Sequence, residues 1–177
     1  MPIKLSEFKS DRAELGNGVV VNQSGWQQAL ETNKQAYLSE FVQRARFTAA
    51  YPTTMGPSEF VDKLFANAGL IPASNDRLAA INEFGPAMTS NDPAARARAL
   101  RRVAENATLT QKEFDSAFVL MQYFGYLRRD PNTGPDNDFS GYSFWLNKLD
   151  TFKGNYQSAE MVQAFLESNE YRGRFPR

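Results

Sequence analysis

The sequence contains no cysteine and no histidine. Without cysteine there is no disulfide, no thiolate nucleophile and no zinc–thiolate site. Without histidine there is no Ser-His-Asp triad, no His-based metal site, no His ligation of haem and no ordinary proton shuttle at neutral pH. Any catalysis would fall to carboxylates, Lys, Tyr or Ser. Long apolar runs are missing too: none approaches the roughly 20 residues that a helix needs to cross a bilayer. The opening Met1-Pro2-Ile3-Lys4-Leu5-Ser6-Glu7-Phe8-Lys9 is charged and has no apolar core, so it does not read as a signal peptide. Two locations fit: the cytoplasm, or the exterior if the chain is one piece of a longer secreted protein. Charge of one sign is also lacking. Twenty basic residues face twenty acidic ones, for a net charge of +0. No global field draws in nucleic acid or an anionic membrane.

Apolar material is plentiful. The 177 residues are 42% hydrophobic and include 14 Phe, enough for a sizeable core. Two stretches use it in the same order. Trp26, Leu30, Phe41, Val42, Phe47, Tyr51 and Pro52 recur as Trp145, Leu149, Phe165, Leu166, Tyr171, Phe175 and Pro176. From the Phe onward the spacing is identical. Between Trp and Phe the second copy is longer, and a break at Lys153-Gly154-Asn155 accounts for the difference. Large apolar side chains at helical spacing belong mostly to packing, so both Trp are expected in the core.

Helical signals dominate the rest. Leu5 and Phe8 open a short helix that ends near Gly16. Ser24 with Gln27 and Thr110 with Glu113 read as capping boxes. Ser58 and Ser158 read as further caps, and Gly69 as a C-terminal cap. Asn91-Asp92-Pro93 is a start signal with Pro93 at the first helical position. Phe114, Ala117, Phe118 and Met121 are expected to face inward, and Leu127 to end that helix. No stretch alternates as a strand does. The fold expected is all-α: one compact bundle of about eight helices in a single domain, 1–177, formed by two related helical units, a degenerate one over 1–90 and a second over 91–177.

Several residues invite a chemical reading. Asp136-Asn137-Asp138-Phe139-Ser140-Gly141 has the first half of a calcium loop, with oxygen ligands at Asp136, Asp138 and Ser140 and a turn glycine. The second half fails, because Asn147 stands where a bidentate carboxylate is required. Capping of the following helix by Asp138 or Ser140 explains the same residues. Asp136 and Asp138 also raise an acid–base pair, as in glycoside hydrolysis, although nothing in the sequence places them across a cleft. Arg96, Arg98, Arg101 and Arg102 form a basic cluster that reads as a solvated helix face rather than a phosphate site. Arg128-Arg129-Asp130-Pro131 ends a helix, where the arginines suit the negative end of its dipole; alternatively one arginine clamps Asp136 or Asp138 and orders the long loop. Arg128 is the candidate for that role. Tyr123, Tyr126 and Tyr142 are the expected contact residues for a partner. No catalytic, cofactor-binding or metal-ligating residue is assigned.

The region from Phe118 to Phe175 resembles the bacterial domain of unknown function 4214 family. The likeness rests on Tyr123-Phe124-Gly125-Tyr126-Leu127-Arg128-Arg129-Asp130-Pro131, Asp138-Phe139-Ser140-Gly141-Tyr142-Ser143-Phe144-Trp145-Leu146, Met161-Val162-Gln163-Ala164-Phe165-Leu166 and Glu170-Tyr171-Arg172. The resemblance implies a small helical module of a longer bacterial surface or secreted protein, distantly like phycobilisome linker domains. It implies a non-catalytic role in interaction or assembly with a protein partner, at the cell surface or outside the cell. Calcium or glycan binding, and a linker role in a large assembly, are the alternatives.

Overall fold

A computed structural model describes residues 2–135 and 137–175. Asp136 and Pro176 lie outside the described residues. The described chain is all-helical, as expected, with ten helices, eight of them seven residues or longer. They are α1 (Leu5–Leu15), α2 (Trp26–Phe41), α3 (Ala45–Ala50), α4 (Pro57–Asn67), α5 (Ser74–Asn82), α6 (Pro93–Ala104), α7 (Ala107–Gln122), α8 (Ser140–Thr151), α9 (Met161–Glu167) and α10 (Asn169–Arg172). A π-turn, Tyr123–Leu127, extends α7, and Arg128 ends it in the left-handed region at φ 60. By compactness the chain divides into residues 10–110 and residues 1–9 with 111–177. The sequence boundary after residue 90 follows the repeat, which is a different criterion.

In the 10–110 unit, Phe47, Tyr51, Phe60 and Phe84 form a ladder of ring contacts, with centroids 4.6 Å, 5.5 Å and 5.6 Å apart in turn. Such pairs add about 0.5–1.5 kcal/mol each to the burial of the rings. α6 packs on α2, α4 and α5. Its inner face is small, with Ala95, Ala99 and Val103 all buried, which permits close approach. On the same helix lies Arg96, only 1% exposed. Its Nη1 donates to Ser90 O (2.9 Å) and Ser90 Oγ (3.2 Å), and its Nη2 to Tyr51 O (2.5 Å). Its guanidinium lies 4.5 Å from the Phe60 ring centroid. Arg96 is therefore a core residue and not part of a solvated basic face.

The second unit has its own core: Val119, Leu120, Tyr123, Phe124, Tyr142, Leu149, Ala159, Met161 and Phe165. Phe8 of α1 packs on Phe124 at 5.3 Å, and the Leu5 N–H donates to Asp130 Oδ1.

Some helix ends follow the sequence and others do not. Asp92 caps α6 by accepting from Ala94 N at 2.9 Å, with Pro93 at the first position. Gly69, at φ 64, closes α4 as a Schellman motif: Leu70 N bonds Phe65 O and Gly69 N bonds Ala66 O, both at 3.0 Å. The four serine and threonine caps are displaced. α2 starts after Gly25, with no side-chain cap from Ser24. Pro57 takes the first position of α4, so the helix begins one residue before Ser58. Asn106 accepts from Thr108 N and Leu109 N, starting α7 ahead of Thr110. Asn155 caps a turn at Ser158, and α9 waits until Met161.

The two similar stretches share a local shape. Arg44 and Ser168 precede α3 and α10 with nearly equal dihedrals, φ −57, ψ 139 and φ −59, ψ 144. Phe47 packs on Tyr51 at 4.6 Å and Tyr171 on Phe175 at 5.1 Å. Their burial differs. Val42, Phe47 and Tyr51 are core, whereas Leu166 and Phe175 are exposed. The expectation that these positions are mostly packing therefore applies better to the first stretch.

Candidate interaction surfaces

Of the three tyrosines expected at the surface, two are interior. Tyr123 is 2% and Tyr142 8% exposed. Tyr123 packs edge-on against Phe165. Tyr142 donates its hydroxyl to Ser116 O at 3.3 Å, and burial pushes its phenol above the ordinary range. Tyr126 is half-buried, edge-on to Tyr171 at 5.6 Å. The sequence reading failed because a tyrosine hydroxyl satisfied by one backbone carbonyl can be buried at little cost.

Part of the α7 stripe expected to face inward lies at the surface instead. Phe114 is 59% and Met121 43% exposed, with Phe118 half-buried between them on one face of α7. Tyr156 packs its ring on Phe118 at 5.0 Å, and Phe152 is exposed on the same turn region after α8. Gly154 seats that turn against α7: a Cβ there would come within 3.1 Å of Asp115 Oδ1. α7 carries two apolar stripes. Val119, Leu120, Tyr123 and Phe124 took the inside, Phe118 packs against the edge of that core, and Phe114 and Met121 were left out.

The loop after α7 is organised by Arg129 and not by Arg128. The Arg129 Nε donates to Glu170 Oε1 at 2.6 Å and its Nη2 to Glu170 Oε2 at 3.0 Å, a bidentate pair with α10. Its Nη1 donates to the carbonyls of Asp130, Pro131 and Thr133. Asp138 accepts from Ser140 N at 2.8 Å, which makes it a local cap of α8. The Ser140 hydroxyl and N–H together hold the Asp138 carboxyl below the usual range. The calcium half-loop and the acid–base pair both need Asp136, which lies outside the described residues. A general acid also needs a raised pKa. Among the described carboxyls with a resolved displacement, Glu31, Asp62, Glu83 and Asp138 all move down. Among the described residues no group of three or more acidic side chains is placed to hold a metal ion.

Trp26 and Trp145 are both half-buried; Trp145 packs against the second core, as expected, and Trp26 belongs to neither core. Trp145 packs on Phe165 at 5.6 Å and lines a pit of about 170 Å³ with Tyr123, Leu127, Arg129, Ala164 and Ser168. No carboxylate lines it, so the indole does not sit beside paired acids.

The remaining basic cluster lines an open groove of about 560 Å³ in the 10–110 unit, between α2 and α6. Arg98 and Arg102 both hold Glu83, with Nε at 2.7 Å and 2.5 Å from its two oxygens. Arg101 pairs with Glu31 and, at 3.0 Å, with Glu105. The pairing with Arg101 holds the Glu31 carboxyl at about 2. The cluster is a network of ion pairs, and no sequence signal identified its distant partners Glu31 and Glu83. No helix of the described residues is long and apolar enough to cross a membrane. No family model matches the chain, and no curated protein or solved structure matches it.

Proposed function

We propose that the chain is a non-catalytic helical interaction module that binds a protein partner through the outer face of α7 and the turn after α8. The observation that carries this reading is the set of exposed apolar side chains Phe114 and Met121 on α7 and Phe152 and Tyr156 after α8, linked by the half-buried Phe118, whose ring meets Tyr156 at 5.0 Å. Scattered apolar residues on a surface need no explanation, but a contiguous group with aromatic rings is what partner surfaces use. Tyr and Phe there give large contact area at small entropic cost. The motif likeness over Phe118–Phe175 supports placing the module in a larger bacterial surface or secreted protein.

The test is capture of a specific partner from the native extract by the immobilised chain and by a Phe114→Ser/Tyr156→Ser variant. The variant is expected to keep its helical circular dichroism and melting temperature and to lose about tenfold or more in affinity, since buried aromatic anchors dominate interfaces. Equal capture by both proteins contradicts the reading.

A further inference from the structure

We infer that the groove between α2 and α6 binds a small carboxylate that carries a hydrocarbon part. The groove belongs wholly to the 10–110 unit and is separate from the α7 surface. Its volume of about 560 Å³ is that of a small-molecule site. Leu38, Ala94 and Ala97 supply apolar wall, and Gln35 and Ser39 line it from α2. Arg98 and Arg102, one turn apart on α6, supply guanidinium groups that are about half exposed.

Glu83 already shows what these two arginines hold. Its carboxylate sits on both Nε atoms, and its backbone oxygen takes Arg98 Nη2 at 3.0 Å. That leaves Arg98 Nη1 and both Nη atoms of Arg102 without a protein partner among the described residues. A guanidinium edge matches a carboxylate in shape and charge. The count of charges selects the ligand further. Three arginines and two glutamates line the groove, an excess of one positive charge, and flanking Lys34 and Glu31 cancel each other. A monocarboxylate neutralises that excess, a phosphate dianion overshoots it, and an amine has the wrong sign. The apolar wall favours a chain of several carbons over acetate.

The test is a titration of the ¹⁵N-labelled 177-residue chain at low salt with hexanoate, acetate, hexylamine and inorganic phosphate. Hexanoate is expected to shift the amide signals of residues 35–39 and 94–102 saturably, with a Kd on the order of 1 mM. Acetate is expected to bind several-fold more weakly, by roughly the hydrocarbon burial that it lacks. Arg98→Gln with Arg102→Gln is expected to weaken hexanoate about tenfold or more. Because that pair also holds Glu83, a second variant guards the result. Ala94→Glu sits at an exposed position of α6, leaves Tm unchanged and is expected to weaken hexanoate by a similar factor through repulsion. Three outcomes overturn the inference: no saturable shift by about 10 mM hexanoate, equal or tighter binding of hexylamine or phosphate, or unchanged hexanoate affinity in Ala94→Glu.

Discussion

Arg96 shows how a single side chain can organise a unit. Burial lowers its pKa, and among the described residues no carboxylate pairs with it, yet carbonyl oxygens and aromatic faces surround it. It joins α6 to the segments around Tyr51 and Ser90. Arg96→Ala is expected to destabilise by about 3 kcal/mol, because it leaves buried acceptors unpaired and opens a cavity. Arg96→Lys is expected to restore less than half, since an ammonium cannot reproduce the planar fork. Urea unfolding, with the midpoint moving at constant slope, measures both. Glu31 makes a prediction about pH. Its folded pKa of about 2 lies below the ordinary 4.5, so its pairing with Arg101 favours the fold above about pH 4.5 and fades as pH falls towards 2. A carboxyl ¹³C titration is expected to place the Glu31 midpoint near 2 at low salt and higher at high salt, where the pair is screened. Lys153 is a residue under strain. It holds φ 52 at the end of α8, where glycine is at ease. Lys153→Gly is expected to raise stability by up to about 1 kcal/mol, read as a higher Tm.

At the scale of elements, the Arg129–Glu170 pair joins the loop after α7 to α10. Arg129→Ala is expected to raise amide exchange across residues 130–134 and in α10. Arg128→Ala is expected to leave both unchanged, since among the described residues Arg128 ends the π-turn and makes no side-chain hydrogen bond to the loop or α10. Exchange monitored by mass spectrometry distinguishes the two. Helix identity was legible in the sequence wherever backbone chemistry is local. Pro93 after Asp92 and Gly69 after α4 act within a few residues, and both are where the sequence placed them. The serine and threonine caps were less legible, because a neighbouring Pro57 or Asn106 competes for the same orphan amides and wins. The direction of α7 could not be read at all. With apolar residues on both sides of the helix, periodicity states that it is amphipathic without choosing its inner face. Partners far apart in the chain, such as Arg101 with Glu31 or Arg129 with Glu170, carry no local pattern.

For the whole molecule, composition was informative chiefly through its absences. With neither Cys nor His, thiolate, disulfide and imidazole chemistry are excluded, and carboxylates, Lys, Tyr and Ser remain. The expectation that the repeated bulky side chains serve packing holds for Phe47, Leu149 and Phe165, all buried, and fails for Leu166 and Phe175, while Phe114, expected to face inward, is exposed. Phe114, with Met121, Phe152 and Tyr156, marks the candidate surface, since an apolar side chain left in water needs either a partner or no neighbours of its kind. The most direct test of the account replaces Phe114 with a photo-reactive benzoylphenylalanine and compares it with the same group at Ile71, which is wholly exposed in the 10–110 unit. Irradiation in the native extract is expected to yield one discrete adduct from position 114 and none from position 71, suppressed by excess wild-type chain but not by the Phe152→Ser/Tyr156→Ser variant. The same adducts from both positions, or equal suppression by the variant, would contradict the account.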